Sequence, residues 1–143
     1  MSLQSSMMIS SSALKAQRFR LELISSNLAN VNTTRTSDGG PYQRKDVVFK
    51  TANLSFEDIL KNEFIAETPG VKVDRIFNDP RSFVTKYEPG HPDADPSGYV
   101  TYPNINVIEE MVNMISATRS FEANASALEA AKNMALRAIE IGA

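Results

Sequence analysis

The chain of 143 residues contains no cysteine, no tryptophan and only one histidine, His91. Without cysteine there is no disulfide framework, no thiolate zinc site and no cysteine nucleophile. A single histidine also disfavours a histidine-based metal site or a catalytic triad. The sequence therefore predicts a protein that is not an enzyme, with no catalytic, metal-binding or cofactor-binding residues and no cofactor.

An excess of basic charge is also missing, because the formal net charge is −2. Nucleic acids and anionic membranes both attract dense Lys and Arg, so neither is expected as the main partner. No run approaches the roughly 18 apolar residues of a membrane-spanning helix. The N-terminus also lacks the basic region and apolar stretch of a secretory signal. We expect no nucleic-acid partner, no membrane span, and either a cytosolic location or an export route without a cleaved signal peptide.

The first 32 or so residues have the pattern of a long helix. Their apolar residues are spaced alternately by four and three positions, with Ser10 and Gln17 filling the gaps, and the helix is expected to end near Asn32 to Thr34. This spacing is typical of a heptad seam, the apolar line along which two helices pack. The predicted seam and interface residues of this segment are Leu3, Met7, Leu14, Leu21, Ile24, Leu28 and Val31.

The last segment, from about Asn104 to Ile141, repeats the spacing with Thr118 and Lys132 as polar interruptions. Asn106 is a weak start signal for a helix, and Gly142 stands where a helix could stop. The predicted seam and interface residues here are Val107, Met111, Met114, Phe121, Leu128 and Ile139.

The two helical segments carry charge of opposite sign. Residues 1–35 contain four basic residues and one acidic residue, whereas residues 104–143 contain three basic and five acidic residues. Opposite charge favours pairing of one segment with the other and helps to set their register.

The middle of the chain, residues 36–103, contains all seven prolines and five of the six glycines. It is predicted to be turn-rich and mostly β, with a short helix over 55–64. Three strands are expected, with the last two forming a hairpin across 78–80. They are Lys45–Thr51, Val71–Phe77 and Arg81–Tyr87.

The best candidate for chemistry is the loop that holds His91, Asp93 and Asp95. An imidazole and two carboxylates can bind a divalent cation. However, Pro, Asp and Gly alternate here as they do in turns, where Asp bonds to its own backbone. We interpret the loop as a structural linker.

The sequence from Ile24 to Thr33 is similar to the signature Asn-Leu-Ala-Asn-x-Asn-Thr of bacterial flagellar rod and hook proteins. Further matching stretches follow in order over 34–42, 87–95 and 98–116, and the loop over 53–70 carries least of the signature. Most members continue with Pro-Gly-Tyr, whereas this chain continues with Thr34-Arg35-Thr36, which resembles the proximal-rod branch. The residues that match the signature are Asn27, Leu28, Ala29, Asn30, Asn32 and Thr33.

The resemblance implies an α+β fold in which long N- and C-terminal helices, within residues 1–35 and 104–143, pack as an antiparallel coiled coil. Residues 36–103 would form the small, mostly β insert domain between them. It also implies a structural subunit of the basal-body proximal rod that assembles with itself and other rod proteins into a tubular drive shaft. The implied partners include basal-body adaptor and export-gate proteins and the flagellar type III export apparatus, and the implied location is the periplasmic rod. One alternative stays open, a soluble coiled-coil adaptor or export cargo that binds a partner helix.

Overall fold

The computed structural model describes residues 3–52 and 70–142, and the helix predicted over 55–64 lies outside this range. Long helices occupy the two ends of the described chain, and short antiparallel strands lie between them, which confirms the predicted α+β class. In chain order the elements are α1 (Leu3–Ala29), β1 (Lys45–Thr51), β2 (Val71–Asn78), β3 (Val84–Tyr87), β4 (Tyr99–Tyr102) and α2 (Val107–Gly142).

Helix α1 ends at Ala29, slightly before the predicted end. The side-chain amide of Asn30 donates to the Ser26 carbonyl at 2.9 Å, and the Thr33 hydroxyl donates to Asn30 Oδ1 at 3.1 Å. These side-chain bonds stabilise the turn at the end of the helix, where the backbone N–H of Asn30 also bonds to the Ser26 carbonyl and that of Val31 bonds to the Leu28 carbonyl.

Helix α2 begins where the sequence indicated. Asn106 is its N-cap residue, because Asn106 Oδ1 accepts hydrogen bonds from the backbone N–H groups of Ile108 at 2.9 Å and Glu109 at 3.3 Å. Such a cap satisfies N–H groups that have no partner within the helix. Gly142, the predicted stop, is the last described helical residue, and it does not take the positive φ that is common at a glycine cap.

The strands pair differently from the prediction. Strand β1 pairs antiparallel with β2, and β3 pairs antiparallel with β4, in two separate two-stranded sheets. The predicted hairpin between β2 and β3 is wrong because Asp79 does not serve as a turn residue there. Its N–H donates to the Arg44 carbonyl at 2.8 Å, and its carboxylate accepts from Arg44 and Arg81. Strand β4, which the sequence did not predict, buries Val100 completely.

Helix α1 is the element on which the β1–β2 sheet lies. The Ser12 hydroxyl oxygen accepts from the Val71 N–H at 3.0 Å, and Asn27 Oδ1 accepts from the Lys45 N–H at 3.0 Å. Fifteen helical residues and seven strand residues both span roughly 22 Å. The sheet is therefore hydrogen-bonded to α1 near both ends of strand β1, because Val71 pairs with Thr51 at the far end of that strand.

Helices α1 and α2 also pack against each other, and most of their buried residues outside the joint region have small side chains. Ala117 is 1% exposed and Ala131 is 2% exposed on α2, and Ser5, Ser10 and Ala16 are buried on α1. Small side chains allow two helix backbones to approach closely, so the contact excludes water without large apolar groups. No helix in the described residues combines the length and the hydropathy that crossing a bilayer requires.

Candidate functional site

A buried group of charged and amide side chains lies where the helices meet the β1–β2 sheet. We call it the buried joint, and it consists of Asn27, Arg44, Asp79, Asn104 and Glu110. Glu110 is fully buried and Asn27 is 1% exposed, which is unusual for a carboxylate and an amide. Buried polar groups of this kind require partners, and the joint supplies them.

Arg44, which precedes β1, carries the ion pairs of the joint. Its Nε donates to Glu110 Oε1 at 2.8 Å, and its Nη1 donates to Asp46 Oδ2 at 3.0 Å and Asp79 Oδ2 at 3.3 Å. A second nitrogen, Nη2, also lies 2.8 Å from Glu110 Oε1. One guanidinium therefore connects the start of α2, strand β1 and the segment after β2.

Asn27, on the last turn of α1, uses both ends of its amide. Its Nδ2 donates to the Lys45 carbonyl at 2.8 Å and to Glu110 Oε2 at 3.0 Å. Its Oδ1 accepts from the Lys45 N–H at 3.0 Å and from the Tyr42 hydroxyl at 3.2 Å. An amide has two donors and two acceptor positions, and all four are occupied.

Asn104 completes the joint on the approach to α2. Its Oδ1 accepts from the Arg44 N–H at 3.2 Å, and its Nδ2 donates to the carbonyls of Arg81 at 3.0 Å and Asp79 at 3.4 Å. The chain entering α2 is thus fixed to the chain leaving β2.

The charges of the joint stabilise one another. Burial lowers the pKa of Arg44, but its hydrogen bonds to Glu110 and then Asp46 outweigh that effect and leave the pKa above its ordinary value. The hydrogen bond from Arg81 lowers the pKa of Asp79 below the usual carboxyl range, against an opposing effect of burial. The joint therefore holds charged groups in fixed positions, which suits a mechanical role.

The sequence prediction did not single out Arg44, Asp79, Asn104 or Glu110. A signal was present for Glu110, because it lies one residue before the predicted seam position Met111. On α2, a line of buried and half-buried side chains follows alternating steps of four and three from Glu110. This line is Glu110, Met114, Ala117, Phe121, Asn124, Leu128 and Ala131.

The predicted interface residues are distributed over three levels of burial. Ile24 is buried; Leu3, Val107, Met111 and Ile139 are exposed. The half-buried ones are Met7, Leu14, Leu21, Leu28, Val31, Met114, Phe121 and Leu128. Since the described part of the chain leaves these four residues exposed, a role for them at an interface with other chains stays a prediction.

Three of the six signature residues make side-chain hydrogen bonds that shape the fold, and for the other three the structure gives their burial. Asn27 lies in the joint, and Asn30 and Thr33 form the turn that ends α1. Leu28 is half-buried, and Ala29 and Asn32 are exposed.

The loop around His91 is used for contacts within the chain. Asp95 Oδ1 accepts from the N–H groups of Ser97 at 2.9 Å and Tyr99 at 2.8 Å. The Asp93 carboxylate accepts from the Thr34 hydroxyl at 2.8 Å and lies 3.7 Å from Arg35. Within the described ranges, no three His, Cys, Asp or Glu side chains converge as a metal site would require.

The outward face of α2, opposite α1, changes character along its length. Four apolar side chains of its first three turns, each more than half exposed, form what we call the α2 stripe, and from Arg119 to Glu129 the face carries charged residues such as Glu122. The exposed fractions of the stripe residues are Ile108 73%, Met111 52%, Val112 61% and Ile115 58%. A contiguous exposed apolar patch is typical of a surface that binds another chain.

Comparisons with known proteins agree on one class. The family described as "Flagella basal body rod protein" matches residues 7–35, and the family described as "Flagellar basal body rod FlgEFG protein C-terminal" matches residues 97–141. The first range covers most of α1, and the second covers β4 and nearly all of α2. Both helices thus belong to the class of flagellar rod proteins.

Full-length relatives specify the class further. The chain is 43% identical to the flagellar basal-body rod protein FlgC of Bacillus subtilis, over 96% of each chain. It is 42% identical to FlgC of Borreliella burgdorferi, over 99% of this chain and 98% of the relative. It is 41% identical to FlgC of Salmonella typhimurium, over 94% and 93%. The chain belongs to the FlgC family of flagellar basal-body rod proteins, which are structural proteins and not enzymes.

Proposed function

We propose that the chain is a structural subunit of the proximal part of the flagellar basal-body rod, where it assembles with copies of itself and with other rod proteins into a tubular drive shaft. The observation that carries this proposal is the match to FlgC proteins at 41–43% identity over nearly the whole chain. A match of that length includes both helices and the sheets between them.

We further propose that α1 and α2 form an antiparallel coiled coil. Asn27 near the end of α1 bonds to Glu110 near the start of α2, and Leu128 lies beside Met8 and Ser12 in one surface groove. The alternating steps of four and three along α2 support knobs-into-holes packing. The segments 1–35, 36–103 and 104–143 would then act as helix, insert and helix.

The joint supports the mechanical part of this proposal, which is the transmission of torque through each subunit. A drive shaft transmits torque, so each subunit must keep a fixed angle between its helices and its β part. Directed hydrogen bonds among buried charged groups fix geometry more strictly than apolar contacts do. The joint places such bonds at the point where the two parts meet.

The proposal also includes the route and location of the subunit. We propose export through the flagellar type III apparatus without a cleaved signal peptide, and residence in the periplasmic rod. Contacts with basal-body adaptor and export-gate proteins are part of the same proposal. The names of the relatives, which are basal-body rod proteins, support a basal-body location. The export route, the periplasmic position and the adaptor and export-gate contacts are expectations from family membership.

Complementation tests the function directly. In a strain that lacks its own proximal-rod gene, this chain should restore swimming, and isolated basal bodies should contain it together with the other rod proteins. A chain that remains soluble and absent from basal bodies would contradict the proposal and favour the alternative of a coiled-coil adaptor or export cargo. Leu28→Asp is a sharper variant, because a charge at this half-buried position should prevent incorporation, whereas Ala29→Ser at the exposed neighbour should not.

A further inference from the structure

Helix α2 leaves its stripe uncovered, and a groove lies elsewhere on the same chain. The groove, of about 870 Å³, runs between the N-terminal half of α1 and strand β2. We call it the α1 groove, and its apolar lining includes Met7, Met8, Phe19, Val71, Val73 and Leu128. The stripe lies near the joint, and the groove is lined by the N-terminal half of α1, so one chain cannot bring the two together.

Charge supports an occupant from another copy. In the described part of the chain, no ion pair joins α1 to α2, although the two segments carry opposite charge. Lys15 and Lys72 line the groove, and the outward face of α2 carries Glu122 and Glu129 beyond the stripe. Within the described ranges these four residues form no ion pair, and Lys72 contributes only weakly to the lowered pKa of Asp74, so all four charges can pair with a neighbouring copy.

We infer that the α2 stripe of one copy docks in the α1 groove of the next copy. This inference rests on the proposed function, since it names the contact through which rod subunits join. The contact uses two different surfaces of the chain, so it is heterologous and leaves a free stripe at one end and a free groove at the other. Such a contact builds an open helical assembly, as a rod requires, instead of a closed dimer. The lysines at the groove pair with the acidic residues of the docked α2 face.

The absence of cysteine makes the test clean, because introduced thiols are the only ones in the chain. The experiment uses Ile115→Cys in the stripe and Met8→Cys in the groove, expressed in cells that assemble rods, with mild oxidation of isolated basal bodies. The double variant should give a ladder of crosslinked multimers. A mixture of the two single variants should give one crosslinked dimer, and each single variant alone should give none.

The matched control is Ser97→Cys combined with Met8→Cys, since Ser97 is exposed in a turn that belongs to neither the stripe nor the groove. Its crosslinked yield should be at least tenfold lower. Adding Ile115→Asp to a chain that carries Met111→Cys and Met8→Cys should reduce the ladder by a similar factor.

Several results would overturn the inference. These are a dimer from Ile115→Cys alone, a crosslink only to a different rod protein, or no crosslink in rods that contain the chain. A Met8→Cys thiol that resists a small alkylating reagent in the dilute monomer would also overturn it, because the groove would then be filled within one chain. Rods that assemble without the crosslink leave the proposed function intact, whereas absence of the chain from basal bodies contradicts the function itself.

Discussion

The two ends of the α1–α2 pair are held by different interactions. Near Asn27 and Glu110, the helices meet buried charged and amide groups that bond to one another at 2.8–3.4 Å. Toward Ser5 and Ala131, they touch through small side chains, and Gln17 Oε1 is buried without a hydrogen-bond partner among the described residues. The joint is specified by directed bonds, and the rest of the pair by close packing.

The difference indicates how the subunit divides its tasks. Directed bonds between buried charges fix one geometry and are costly to break. Small-residue packing depends on shape and continues along the helices without fixing their register as strictly. The joint is therefore expected to set the angle between helices and sheet, whereas the distal pair is expected to adapt to neighbouring subunits.

The largest predicted effect is the loss of the joint's cation. Arg44→Ala leaves the fully buried Glu110 without its guanidinium, and removing one partner of a buried pair typically costs about 3–5 kcal/mol. The matched control is Arg18→Ala, which breaks the exposed pair with Glu22 and should cost about 0–1 kcal/mol. Urea unfolding followed by circular dichroism measures both values. Equal losses in the two variants would show that the joint does not stabilise the fold.

Asn27→Ala should have the next largest effect. It removes four hydrogen bonds, including the two to the Lys45 backbone and the buried one to Glu110, so the loss should be about 3 kcal/mol. Asn32→Ala, at an exposed position of the same signature, should change the unfolding free energy by less than about 0.5 kcal/mol. If the two variants unfold alike, the special role of Asn27 in the joint is wrong.

The distal contact is tested by a larger side chain. Ala117→Leu inserts three carbons at a side chain that is only 1% exposed and should destabilise the chain by about 1–3 kcal/mol. Ala127→Leu, on the exposed side of the same helix, should be nearly neutral. Thermal unfolding of both variants checks the comparison. A neutral Ala117→Leu would mean that the small residues do not define the helix separation.

The smallest predicted effect is a change in acid sensitivity. The pKa of Asp79 is lowered by the hydrogen bond from Arg81, so its contribution to stability is present above the unfolded carboxyl pKa of about 3.9. That contribution is lost as pH falls through the lower, folded pKa, because the unfolded state binds the proton first. Asp79→Asn should therefore lower stability at pH 7 and weaken its decrease below pH 4.

Urea midpoints at neutral pH and at a series of acidic pH values measure that effect. Asp95→Asn is a useful control, since Asp95 bonds only to nearby backbone N–H groups in an exposed turn. If Asp79→Asn leaves the pH dependence of the urea midpoint unchanged, the loss of stability in acid is due to other carboxylates.

Local signals along the chain were sufficient to predict several of the elements. Alternating steps of four and three residues gave both helices, the Asn106 cap gave the start of α2, and β-branched runs gave β1 and β2 within one residue of their ends. The signature around Asn27 gave the family. Each of these features depends on neighbours within a few positions along the chain, so the order of residues is sufficient to reveal it.

Strand pairing and the contacts within the joint depend on residues that are distant along the chain. Asn27 and Glu110 are 83 positions apart, Arg44 and Glu110 are 66 apart, and no spacing rule connects them. The hairpin predicted across Asp79 failed for the same reason, because a distant partner, Arg44, holds Asp79 beside β1. A buried carboxylate is stable only where folding brings a cation and donors around it, and that arrangement depends on long-range packing.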